Sequence, residues 1–186
     1  AAPLASEQLD LLEGDAMDFP LAGLPEDDAE FYIVANLPYA IASPWLEEVL
    51  GGTRLPARMV LMLQKEAADR YQAKAGTKNF GALTIFLASA FEVTGSHPVA
   101  KTCFYPQPEV ESVLLRLDRK EAPCPLPKKT RELIRRLFTR RRKQMGGLAR
   151  AEESPTQLAI ESWLKDQDLS PTLRPEQIPA SAWQEL

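Results

Sequence analysis

The 186 residues hold only two cysteines, Cys103 and Cys124, and a single histidine, His97. Two thiols are too few for a disulfide scaffold or a cysteine-rich metal site, so no metal is expected. No apolar run approaches the ~18 residues that a membrane span requires, and nothing at the start reads as a signal peptide. The expected setting is therefore cytoplasmic, with no membrane partner. Glycine is scarce in the arrangement that matters: none of the nine glycines forms a G-x-G turn, so the phosphate-cradling loop of a dinucleotide-binding sheet is not among these residues. What remains is 45% hydrophobic and 26% charged, an ordinary globular composition rather than that of a disordered tail, long enough for one domain and a small second one.

The net charge of -4 hides an uneven distribution. Between Lys128 and Lys143 lie nine basic residues (Lys128, Lys129, Arg131, Arg135, Arg136, Arg140, Arg141, Arg142 and Lys143) against the single acid Glu132, leaving 13 basic and 25 acidic residues elsewhere. A dense basic stripe on an acidic chain points to a nucleic-acid partner, although such a run by itself also suits a solvated helix face.

Along the chain, strands alternate with helices. Leu9–Glu13 reads as a short strand ending in the turn Gly14-Asp15-Ala16, and Phe31–Ala35 as a buried-type strand stopping at Asn36-Leu37-Pro38-Tyr39. Trp45, Leu46, Val49 and Leu50 have helical spacing before Gly51-Gly52. Ala57–Gln64 is a third strand, Lys65–Lys74 a helix, and Ala82–Ala90 an apolar helix after a loop. Phe91–Val99 and Val110–Leu117 complete the strands. This alternation predicts an α/β sheet with functional loops at the strand ends. Pro123, Pro125 and Pro127 stiffen a linker beyond which the pattern is helical, placing a boundary near residue 122 between portions 1–122 and 123–186.

Asn36-Leu37-Pro38-Tyr39 offers chemistry beyond a turn. An apolar strand delivers a side-chain amide, a proline with fixed φ and no N–H, and an aromatic ring. An exocyclic base amine is a poor nucleophile because its lone pair is delocalised into the ring. The Asn36 side-chain oxygen and the Leu37 carbonyl would accept its hydrogens and favour a more tetrahedral nitrogen, while Tyr39 would stack on the base. A strand end followed by an ordinary turn has the same local sequence.

Five segments together resemble the rRNA adenine N6,N6-dimethyltransferases, in particular the KsgA-type enzymes of the small ribosomal subunit. They are Glu13-Gly14-Asp15-Ala16; Asn36-Leu37-Pro38-Tyr39; Met62-Leu63-Gln64-Lys65-Glu66 with Arg70; Phe104-Tyr105-Pro106-Gln107-Pro108-Glu109-Val110-Glu111-Ser112; and Phe138 with Arg141-Arg142-Lys143. The resemblance implies a Rossmann-like class I methyltransferase sheet, incomplete and lacking its first strands, with a small α-helical C-terminal domain. It implies S-adenosyl-L-methionine as methyl donor, with Asp15, Ala16 and Asn36 at the cofactor. It implies catalytic roles for Asn36, Leu37, Pro38, Tyr39 and Phe104, the rings of Tyr39 and Phe104 clamping a flipped adenine.

RNA docking falls, by the same resemblance, to Lys128, Lys129, Arg135, Arg136, Arg140, Arg141, Arg142 and Lys143 of the basic segment, which would hold phosphates with little sequence choice. The implied activity is dimethylation of two adjacent adenines in a 16S rRNA hairpin loop on the pre-ribosomal 30S particle, by a monomer. Thr172-Leu173-Arg174-Pro175-Glu176 resembles the small-subunit enzymes more than their large-subunit counterparts. Phe80 stands where relatives usually carry tyrosine, so the loop holding Lys78 is assigned no hydrogen-bonding role. The glycine-rich turn and the ribose-binding acid of the family precede the first residue here. A cofactor-dependent enzyme that draws on residues outside the chain and a non-catalytic rRNA-binding piece or assembly factor are therefore both open, as is a large-subunit adenine methyltransferase.

Overall fold

The computed structural model describes residues 9–24 and 29–186. Four strands form one mixed sheet: β1 (Tyr32–Ala35), β2 (Arg58–Gln64), β3 (Phe91–Val99) and β4 (Ser112–Arg119), in the order β1-β2-β4-β3. β1 runs parallel to β2, which is antiparallel to β4, which is antiparallel in turn to β3. β2 alternates so that Met59, Leu61 and Leu63 are buried, and Val113, Leu115 and Leu117 do the same on β4. Period-two burial is what a pleated strand with one fully covered face requires.

Among the described residues seven α-helices accompany the sheet: α1 (Tyr39–Gly51), α2 (Lys65–Tyr71), α3 (Ala82–Ala90), α4 (Lys128–Thr139), α5 (Met145–Ala149), α6 (Ser154–Asp166) and α7 (Ala180–Trp183). Pro38 precedes α1 with φ -52°, pre-set for a helix start and lacking an N–H that would have no intrahelical partner there. Ala42, Trp45, Leu46, Val49 and Leu50 form the buried stripe of α1. α3 is buried almost all round because it is the central helix, touching α1, α2, α4 and α7 as well as β3. Helices from both sides of residue 122 thus share one core, closed at its far end by the rings of Phe80, Phe138, Trp183 and Trp163.

Several expected boundaries shift, β1, β2 and β4 by one or two residues at an end. Leu9–Glu13 is not a strand: only Leu9 makes an isolated bridge and Leu11 lies 73% exposed. An extended segment needs a neighbouring strand to satisfy its backbone, and none pairs with it among the described residues. The helix after β2 ends at Tyr71, and the last strand begins at Ser112, because Val110 and Glu111 belong to the preceding loop. β1 occupies the sheet margin with Tyr32 and Val34 exposed, although both are strand-forming residues.

Candidate functional site

Sheet topology collects three of the motif segments at one end. Parallel pairing sends the carboxyl ends of β1 and β2 to the same margin, with Ala35 opposite Leu61. The antiparallel strands bring their connection there too, since Ser112 faces both Gln64 of β2 and Val99 of β3. Asn36–Tyr39, the start of α2 and the 100–111 loop therefore lie along one edge, the carboxyl edge where α/β sheets place their ligands.

Within this cluster the Tyr39 hydroxyl and Ser112 Oγ are 2.7 Å apart, joining loops 73 positions apart in the chain. Ser112 is buried and Tyr39 half-buried, so the bond satisfies a polar tip while the ring keeps one direction. Asn36 is exposed, and its amide makes no hydrogen bond among the described residues. Ile41 N–H donates to the Pro38 carbonyl at 3.0 Å, closing the first turn of α1 directly behind the loop.

The 100–111 loop is fastened at several points. Lys65 Nζ donates to Glu111 Oε2 at 2.7 Å, and the Lys65 amide donates to the Glu111 carbonyl at 2.9 Å. The partnership lowers the Glu111 carboxyl below the usual carboxylate range and raises Lys65, each through the hydrogen bond to the other. Lys101 Nζ donates to the Glu109 carbonyl across the same loop. Phe104 follows the 3₁₀ turn Lys101–Cys103 and is half-buried, while Tyr105 beside it is fully exposed and precedes a cis peptide bond to Pro106.

Asp15 opens a turn in which its carbonyl accepts from the amides of Asp18 and Phe19, both at 3.1 Å, and its Oδ1 accepts from Met17 N–H at 2.8 Å. The other carboxylate oxygen makes no hydrogen bond among the described residues. Trp45 Nε1–H donates to the Pro20 carbonyl at 3.1 Å, pinning the segment to α1. Ala16, Phe19 and Leu37, with β1, line an apolar hollow of about 270 Å³. Ala16 and Leu37, assigned to cofactor and target respectively, thus share one cavity.

The basic segment divides in two. Arg135 pairs with Glu47, Arg136 with Glu152 at 2.9 Å, and Arg141 with Glu176 while also donating to the Lys78 carbonyl at 2.9 Å. These three hold elements together. Lys128, Lys129, Arg140, Arg142 and Lys143 are exposed and make no side-chain pair among the described residues. His97 is exposed on the margin strand β3 and touches no part of this site.

Sequence reasoning overlooked Ser112 and Arg131 as side chains with individual roles. A serine opening a strand carries no local mark of its partner, and an arginine among nine basic residues looks like its neighbours. Among the described residues no group of three or more His, Cys, Asp and Glu side chains could hold a metal ion, and no helix is long and apolar enough to cross a membrane.

Comparison with known proteins gives a consistent picture. The family model described as ribosomal RNA adenine dimethylase matches residues 1–170. A ribosomal RNA small subunit methyltransferase A from Opitutus terrae is 50% identical over 99% of the chain, which spans 66% of that protein. One from a Synechococcus strain is 37% identical over 93% of the chain and 62% of its own length. The chain thus spans about two thirds of the length of these relatives. Among solved structures, a dimethyladenosine transferase from Plasmodium falciparum superposes with TM-score 0.76 at 25% identity, covering 96% of this chain and 71% of that one. The 23S rRNA methyltransferase ErmE superposes with TM-score 0.61 at 20% identity, covering 90% of this chain and 67% of its own, a likeness of fold. The sheet is accordingly of the Rossmann-like type found in rRNA methyltransferases.

Proposed function

Because the chain belongs to the ribosomal RNA adenine dimethylase family, we propose that it serves the transfer of methyl groups from S-adenosyl-L-methionine to the exocyclic amines of two adjacent adenines in a 16S rRNA hairpin loop. The setting is small-subunit biogenesis in the cytoplasm, with the pre-ribosomal 30S particle as partner and a monomer as the working form. The observation that carries this reading is the Tyr39–Ser112 bond, which joins the Asn36–Tyr39 segment to the loop of Phe104 at one edge of the sheet.

When bound, S-adenosyl-L-methionine supplies a sulfonium-borne methyl carbon as the electrophile. The free Asp15 oxygen would receive the amine of its adenine and Ala16 would pack beside the ring. The target adenine would enter unstacked, with Tyr39 holding one face and Phe104 providing the second ring. The Asn36 side-chain oxygen and the Leu37 carbonyl would accept the hydrogens of the target amine, turning its lone pair toward the incoming carbon. Pro38, with no N–H and a fixed φ, holds those two acceptors at the head of α1. No strong base is required, because an amine that has gained a methyl group loses its extra proton readily. Lys128, Lys129, Arg140, Arg142 and Lys143 would contact phosphates, and selectivity would come from the shape of the particle.

A second reading, an rRNA-binding role without methyl transfer, is favoured by one feature: Lys128, Lys129, Arg140, Arg142 and Lys143 are all exposed and make no side-chain pair among the described residues. Methyl incorporation into unmethylated small-subunit particles separates the two. Dimethyladenine in the small subunit supports the enzyme. Particle binding without incorporation supports the binding role, and label confined to the large subunit overturns the choice of substrate.

A further inference from the structure

The helix α1 starts in the candidate site and ends in the basic module. Its first residue is Tyr39 and its last is Gly51, giving a rod of roughly 20 Å at about 1.5 Å per residue. At the far end α4 grips it. Arg131 Nη1 donates to the Glu47 carbonyl at 3.1 Å, close to the carboxyl end of α1, where the helix dipole favours a cation. Arg135 pairs with the Glu47 carboxylate and lies 5.6 Å over the Phe86 ring of α3.

Gly51 makes that grip possible. A Cβ there would stand 2.6 Å from Arg131 Nη2 and 2.9 Å from Nη1, so a side chain at this position would displace the guanidinium. Arg131 Nε is buried without a hydrogen-bond partner. A half-buried guanidinium with an unmatched Nε–H is a poor source of stability. What the contact does provide is one defined distance between α4 and α1.

We propose that Arg131, seated on Gly51, is a positioning residue for the Asn36–Tyr39 loop. It fixes the placement of α1 along its axis, so that the basic face that docks on RNA and the ring that receives the base belong to one rigid piece. What the loop does rests on the methyl-transfer reading above; the mechanical link does not.

Hydrogen exchange along α1 in the 186-residue chain tests the link directly. Arg131→Met keeps the length of the side chain and removes its donors. Exchange should rise about tenfold at Ile41, in the first turn, as well as at Gly52, and more than at Leu61 of β2, which reports global opening. Arg131→Lys should restore most of the protection. Gly51→Ala, which crowds the guanidinium from the other side, should reproduce the pattern of Arg131→Met. Faster exchange confined to the last turn, or an equal rise at Leu61, would overturn the link. If the wild-type chain methylates particles, Arg131→Met should lower kcat about tenfold and leave KM for the particle within about twofold; a change in KM alone would also overturn it. A wild-type chain that incorporates no methyl group counts against the methyl-transfer reading, while the exchange comparison still decides the link.

Discussion

In the role proposed for it Tyr39 offers its ring face while its hydroxyl is satisfied elsewhere, and Ser112 meets that second demand. The 2.7 Å contact removes the need for water at a half-buried oxygen and leaves the ring one preferred direction. Ser112→Ala should therefore cost only about 1 kcal/mol of stability, measured by urea denaturation, yet slow single-turnover methyl transfer several-fold. Tyr39→Phe should have the same effect, and the double variant should be little worse than either, since both remove one bond. Additive losses would show that the two side chains act separately. Asn36 and Asp15 contrast with this pair, as each is exposed and keeps an acceptor without a hydrogen bond among the described residues.

At the level of elements, Asp118 does for the sheet what Ser112 does for the loops. It accepts hydrogen bonds from Arg116 on its own strand, Arg58 on β2 and Thr94 on β3, so three strands meet at one carboxylate. These bonds, from Arg116 first, hold its carboxyl well below the ordinary carboxylate range. A depressed carboxyl contributes stability that is complete above its unfolded value and lost as pH falls toward the folded one. Denaturant midpoints should thus fall between about pH 5 and pH 2, and Asp118→Asn should flatten that fall while lowering the midpoint at pH 7. An unchanged acid slope in the variant would assign the effect to other carboxylates, Glu111 among them. The element pattern was largely legible beforehand: α3 and β3 have the boundaries that hydrophobic period and flanking residues indicate. Leu9–Glu13 has the same local signature but, beyond the bridge at Leu9, no partner strand among the described residues, and a strand without a partner leaves its backbone to water.

Across the whole molecule the basic segment divides into paired side chains and exposed ones proposed to dock RNA, separated by where each residue falls around α4 and the turn after it. Replacing Arg140, Arg142 and Lys143 together by alanine should weaken RNA binding and reduce the slope of log affinity against log salt by about 2 to 3, with little change in melting temperature. Arg141→Ala should instead lower the melting temperature, because it unpairs Glu176 and releases the Lys78 carbonyl. Equal salt slopes for the triple variant and the wild type would remove the docking role from this surface.

The five motif segments, the strand and helix periods and the location of the positive charge were all readable from the chain, because each is a local property of consecutive residues. Which basic side chains are paired among the described residues, that Tyr39 meets Ser112, and that Gly51 makes room for Arg131 were decided only by tertiary structure. Those pairings join residues far apart in sequence. They exist because strand order and helix packing place them side by side, and spacing along the chain carries no record of that order.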